Sequence, residues 1–197
     1  MTSRSLRLIL GRARGSALLL WLAWMLVPLP ALAGCPDHGL RVTDADGRAL
    51  VNLPMPEGAG WCLAWKHSVE GFAVHDCYRN DGGHMVLERS HLPDFAAGLD
   101  HIPGRGRQVS DGRGGYWIED IDEPVPGDRY RLRVGSRRVD HRLVHHGEPS
   151  LRTLVERSRG RGCDIDGDIP AGEGPVVISL SELAANERVT IGLTTNP

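Results

Sequence analysis

Lysine is almost missing from this chain: Lys66 is the only one in 197 residues. Its basic charge is therefore nearly all arginine, an imbalance read here as compositional bias rather than a phosphate-binding device. Basic surplus is missing too. The 23 Lys+Arg of the whole chain fall to 19 beyond residue 34, where all 25 Asp+Glu lie, leaving a formal charge of −6. Nucleic-acid phosphates need a basic surface, so a nucleic-acid partner is excluded. Aromatics are few, and Trp61, Trp65, Trp117, Phe72, Tyr78, Tyr116 and Tyr130 all fall in apolar runs. No H-E-x-x-H, C-x-x-C or G-x-S-x-G occurs, so zinc-hydrolase, thiol-redox and serine-hydrolase signatures are absent.

The first 34 residues read as an address. Arg4, Arg7, Arg12 and Arg14 form a positive start without acids, an apolar segment runs from Ala17 to Val27, and small residues lead to Cys35. Ala31-Leu32-Ala33 suits ordinary signal peptidase, whereas Leu32-Ala33-Gly34-Cys35 resembles a lipobox in which Cys35 is acylated. The leader is thus a probable-lipoprotein signal, with soluble export or an uncleaved anchor as alternatives; the apolar stretch is short for a full span. Each reading puts residues 35–197 outside the cytoplasm as one domain.

Period two dominates that domain. In "RYRLRV", Tyr130, Leu132 and Val134 share one face and Arg129, Arg131 and Arg133 the other. Shorter strand-like runs occur at 40–43, 50–53, 85–89, 116–121, 142–145, 176–180 and 188–193. Turn signals such as Asp46-Gly47, Asp111-Gly112 and Gly135-Ser136 separate them. The fold class is all-β: a single-domain antiparallel β-sandwich or partly open barrel with at most one or two short helices. One helix is expected over 150–159, capped by Ser150. The segments 104–115 and 160–175 read as loops, the second an insertion.

"LAWKHSVEGFAVHDC", residues 63–77, folds as a hairpin if residues 68–71 form a four-residue loop. Residues whose numbers total 139 then face one another. Cys62 meets Cys77, and in an oxidising compartment a cross-strand disulfide is expected. If Cys35 is lipidated, Cys163 is the odd cysteine; a Cys35–Cys163 pair requires soluble export. Asp76 lands on the apolar face between Trp61 and Trp65 and needs a donor, with an arginine or histidine from another strand the expected partner.

These residues carry a resemblance. His67-Ser68-Val69-Glu70 with Val74 and Asp76, Ala97-Gly98-Leu99, and Leu132-Arg133-Val134-Gly135 followed by Asp140-His141 resemble a bacterial family of small exported proteins. That family is classed as a domain of unknown function. Its members are commonly encoded beside the fused permease of TRAP transporters with TAXI-type solute-binding proteins. The likeness covers residues 40–148 and returns at 187–193. This chain departs from it at Asp76, where a glutamate is expected, at Asp100, where a proline is expected, and in the 160–175 insertion. The resemblance implies a periplasmic location and association with a TRAP system, but no reaction.

The expectation is a non-enzymatic accessory or interaction module without cofactor or metal. Its recognition patch would comprise His67, Ser68, Glu70, Asp76, Gly98, Leu99, Asp140 and His141, and its partner the permease or the solute-binding protein. Ser68 and Glu70 are expected to bond the turn's amides. The alternative is a small-ligand or metal-binding periplasmic protein using His67, Asp76 and His141. "CDIDGD" at 163–168 alternates carboxylates like a calcium loop but lacks the glycine and glutamate such loops need, so it reads as a solvated acidic loop.

Overall fold

The computed structural model describes residues 38–92, 103–163, 165, 167–172 and 174–195. The leader, Cys35, the Ala97–Asp100 motif with Gly98 and Leu99, and Asp164 and Asp166 lie outside the described residues.

The strands run, in chain order, β1 (His38–Thr43), β2 (Ala49–Pro54), β3 (Gly60–Lys66), β4 (Ala73–Asp81), β5 (His84–Leu92) and β6 (Arg107–Ser110). They continue with β7 (Tyr116–Glu119), β8 (Glu123–Pro124), β9 (Arg129–Arg133), β10 (Arg142–His146), β11 (Val177–Ser179) and β12 (Arg188–Thr195). Among the described residues two α-helices, α1 (Leu151–Gly160) and α2 (Leu180–Leu183), and a 3-10 turn at Pro126–Asp128 interrupt them. All pairings are antiparallel. The smaller sheet has the order β2-β1-β12-β9, and the larger β11-β10-β3-β4-β5-β7-β6, with β8 beside β5.

This is the expected all-β sandwich, with no closed barrel. Leu40 and Val42 from β1 and Ile191 from β12 meet Trp61, Leu63 and Leu143 of the larger sheet in one buried core. Alternation makes this possible, since every second side chain of each strand faces the other sheet. A second cluster of Val74, Leu92, Tyr116 and Ile118 occupies the far end of the larger sheet.

Two expectations need correction. The 104–115 segment is not only a loop: β6 pairs with β7 there, and Asp111 closes the turn by accepting from the amides of Arg113 and Gly115 at 2.7 and 2.9 Å. The run at 176–180 stops at Ser179 and becomes α2. Ser150 and Ser179 both cap helices, each accepting from the amide three residues on.

Candidate functional site

The hairpin forms in the expected register, from Gly60 opposite Arg79 to Lys66 opposite Ala73, and Cys62 is bonded to Cys77. His67 and Phe72 close it: the His67 amide donates to the Phe72 carbonyl at 2.8 Å and the rings stack at 4.9 Å. Gly71 sits at φ +76°, a conformation glycine adopts without cost. The turn is held by His67, not by the side chains of Ser68 and Glu70 as expected. Its Nδ1 accepts from the Glu70 amide at 3.3 Å, and its carbonyl accepts from Gly71 at 2.9 Å. Ser68, Val69 and Glu70 are exposed, Val69 by 74 %.

The Asp140-His141 corner lies beside this tip. Arg142 pairs with Ala64, and the ladder runs on until the Lys66 amide donates to the Val139 carbonyl at 2.7 Å. Asp140, at φ +57°, accepts charge-assisted contacts from Lys66 Nζ at 3.8 Å and Arg142 Nε at 3.4 Å. His141 is buried: its ring stacks on Trp65 at 6.0 Å, its Nδ1 accepts from the Gly135 amide at 2.9 Å, and burial lowers its pKa. Thus His67, Glu70 and Asp140 belong to one end of the sheet, while the His141 ring is spent on the fold.

Asp76 turns inward as expected, but its direct partner is neither arginine nor histidine. The hydroxyl of Ser90, directly opposite on β5, donates to it at 2.6 Å. Burial raises its carboxyl above the ordinary carboxylate range, with Ser90 and the charge of Arg105 acting against the shift. Among the described residues no three His, Cys, Asp or Glu side chains are placed to hold a metal, so His67, Asp76 and His141 do not form a ligand set.

The outward face of the larger sheet carries a site that sequence reading missed. A bulge in β5 opposes Cys77 with both Glu88 and Arg89, so both side chains reach that face. Arg89 lies over the Trp117 ring at 4.4 Å and donates through Nη2 to His146 Nδ1 at 2.8 Å. Arginine can only donate, so His146 carries its proton on Nε2 and donates to Glu88 at 3.2 Å. Burial and then the Arg89 charge lower the His146 pKa, against the pull of Glu88. His75 stacks on Trp117 at 6.2 Å and pairs across the ladder with His91. His91 Nε2 is 2.9 Å from Asp111, leaving Nδ1 buried without a partner among the described residues. Burial, then the charges of His91, Arg142 and Arg89, hold His75 below its usual pKa.

Cys62, His75, Arg89, Trp117 and His146 line a groove of about 810 Å³, which Glu148 also borders. A cation, neutral imidazoles and an indole face around a groove of this size suit a small, partly planar ligand bearing an acceptor group. The usable signal was the reverse face of the hairpin, where Cys77 and His75 alternate with core residues. Extending the ladder to Arg89, His91 and Trp117 required non-local pairings.

Cys163 also takes part in a disulfide, so it is not the odd thiol that a lipidated Cys35 leaves. Residues 62–150 match the profile of a domain of unknown function, DUF1850. The match opens at the first cysteine of the hairpin and closes at the cap of α1. It takes in the tip, Asp76, the Asp140-His141 corner and most of the groove. No curated protein and no solved structure matches the chain.

Proposed function

We propose that this chain is an exported, non-enzymatic accessory module of a TRAP-type solute uptake system. It would present the 66–70 tip and Asp140 to the permease or solute-binding protein on the periplasmic side. The observation that carries the reading is the tip itself: Val69 stands out to solvent between Ser68 and Glu70, on a hairpin braced by a disulfide and by Asp140. In this reading Val69, on its polar-rimmed turn, is the side chain that enters a partner's pocket. The TRAP assignment rests on the resemblance of the 67–70, 132–135 and 140–141 motifs; the match over residues 62–150 supports the domain alone. The non-enzymatic reading rests on His67, whose Nδ1 accepts from the Glu70 amide.

Cys163 bears on how the chain is retained. An intrachain disulfide at Cys163 and a lipid on Cys35 exclude each other, because Cys62 and Cys77 are bonded together. The disulfide therefore favours soluble export. The test is a photo-crosslinking residue at Val69 of the full chain, co-expressed with the permease and solute-binding protein of the same genome. An adduct to either one, missing from a control probe at the exposed Val177, supports the reading. Equal labelling from both positions, or no adduct from Val69, overturns it.

The groove around Arg89 favours a second reading, a small-ligand-binding periplasmic protein. Calorimetry with organic acids separates the two: stoichiometric binding lost in Arg89→Ala supports a ligand site, and no heat with any acid removes it.

A further inference from the structure

The smaller sheet turns one face to the core and the other to solvent. On the outward face Arg129, Arg131 and Arg133 of β9 lie beside Gly192, Thr190 and Arg188 of β12, and Arg41 of β1 lies on the far side of Gly192. Four of these arginines are exposed and Arg41 is half-buried. None of the five side chains has an ion pair or hydrogen bond among the described residues. Elsewhere Arg48 pairs with Asp44, Arg79 with Asp122, Arg105 with Glu123 and Arg107 with Glu119. Arg113, Arg137, Arg138 and Arg157, unpaired among the described residues, are scattered over loops and α1 rather than gathered on one sheet face.

The nearest carboxylates do little to neutralise this face. Asp44 spends both oxygens on its own turn, accepting from the Asp46 and Arg48 amides and from Arg48 Nε. Asp46 and Glu187 stand at one end, beside Arg133 and Arg188. Arg133 and Arg188 are directly opposed across the ladder, an arrangement that destabilises a sheet unless an anion intervenes. In a mature chain of acidic balance, a face of unpaired arginines is an interaction surface awaiting negative charge.

Two features choose among anionic partners. The remaining outward residues are Gly39, Thr43, Ala49, Asn52, Thr190, Gly192 and Thr194, with Pro54 buried, so the face lacks the large apolar anchors around which protein interfaces form. A groove of about 440 Å³ between Arg131, Arg133, Arg188 and Thr190, bordered also by the self-occupied Asp44, admits a compact charged group, and guanidinium forks match phosphate geometry. We propose that this face lies against an anionic phospholipid surface, its arginines taking lipid phosphates. The inference goes beyond the transporter partner and depends only on the arginine geometry.

The test is co-sedimentation of the full chain, as secreted, with phosphatidylcholine vesicles with and without phosphatidylglycerol. Any anchor would contribute equally to both, so the difference reads the basic face. Binding should favour the anionic vesicles and fade as salt shortens the Debye length. Each Arg→Gln change at positions 131, 133 and 188 should weaken it about fivefold. The matched control Arg107→Gln should leave it unchanged. Loss of the Arg133–Arg188 opposition should keep or raise the melting temperature, so weaker binding cannot be ascribed to unfolding. Equal binding to both vesicle types, undiminished binding of the triple variant, or capture by polyglutamate without phosphatidylglycerol preference overturns the proposal; the last outcome assigns the face to an acidic protein.

Discussion

The Ser90 hydroxyl donates to the Asp76 carboxylate across 2.6 Å, from the position directly opposite on the neighbouring strand. A neutral donor offsets only part of the cost of burying a carboxylate, and Asp76 accordingly binds its proton more tightly in the fold than in the unfolded chain. Its contribution to stability is full below the ordinary carboxylate value of 3.8 and is lost as pH rises through the folded value. Asp76→Asn is therefore expected to raise the melting temperature at neutral pH, with the gain shrinking as pH falls. Ser90→Ala should cost about 1–3 kcal/mol at neutral pH by leaving the charge without its hydroxyl. Thermal unfolding across pH checks both; an Asn variant less stable than the parent at neutral pH would count against this account.

The histidines act in the opposite direction. His75, His141 and His146 are each held below the ordinary value of 6.5, with burial the largest cause. The unfolded chain takes up these protons first, so their contribution is present above 6.5 and is lost as pH falls through the folded values. Urea midpoints measured from about pH 8 down to about pH 5 should decline, each imidazole adding at most about 1.4 kcal/mol per pH unit. His75→Gln should flatten that slope while leaving the pH 8 stability nearly unchanged, since His75 makes ring contacts rather than hydrogen bonds.

His141 separates a structural role from a recognition role. Replacement by phenylalanine keeps a ring against Trp65 but removes the acceptor of the Gly135 amide. The expected cost is about 1–3 kcal/mol in urea unfolding, because a buried amide is left unpaired. Crosslinking from Val69 should persist. If stability holds and crosslinking is lost, His141 belongs to the recognition surface instead.

Sequence reading found what depends on near neighbours. The hairpin was legible because Cys62 and Cys77, Trp61 and Tyr78, and Trp65 and Val74 fall in register about a four-residue loop, and alternation fixes which side each faces. Ser150 announced α1 for the same local reason. β6 escaped because "RQVS" is a short edge strand with one apolar residue. The Arg89 groove escaped because His75, Arg89, Trp117 and His146 come from four strands whose order no local pattern specifies. His141 looked like a surface ligand because its polarity was visible and its contacts with Trp65 and Gly135 were not. "RYRLRV" displayed its arginine face at once, but only the pairing with β12 and β1 adds Arg188 and Arg41.

The Cys62–Cys77 disulfide closes a loop with a sequence separation of 15, for which chain entropy gives about 3 kcal/mol. A Cys62→Ala, Cys77→Ala double variant should lose roughly that much in urea unfolding, and it should move Arg89 and His146 less than it lowers stability, since their hydrogen bond does not involve sulfur. Chemical shifts of the His146 ring report the second point.

The Cys163 disulfide gives the proposed manner of export a covalent test. A sulfur joined to lipid through a thioether cannot also join a second sulfur. With Cys62 and Cys77 bonded to each other, a lipidated Cys35 forces the Cys163 disulfide to come from another polypeptide, and the protein would run on a non-reducing gel as a mixed species. Soluble export lets the bond close within the chain. The expected result is a single monomeric band, an intact mass lower than that of the reduced form by the four hydrogens of two disulfides, and no added acyl mass. Cys163→Ser should then expose exactly one alkylatable thiol without altering the Cys62–Cys77 pair. Acyl mass on the mature N-terminus would restore the lipoprotein reading.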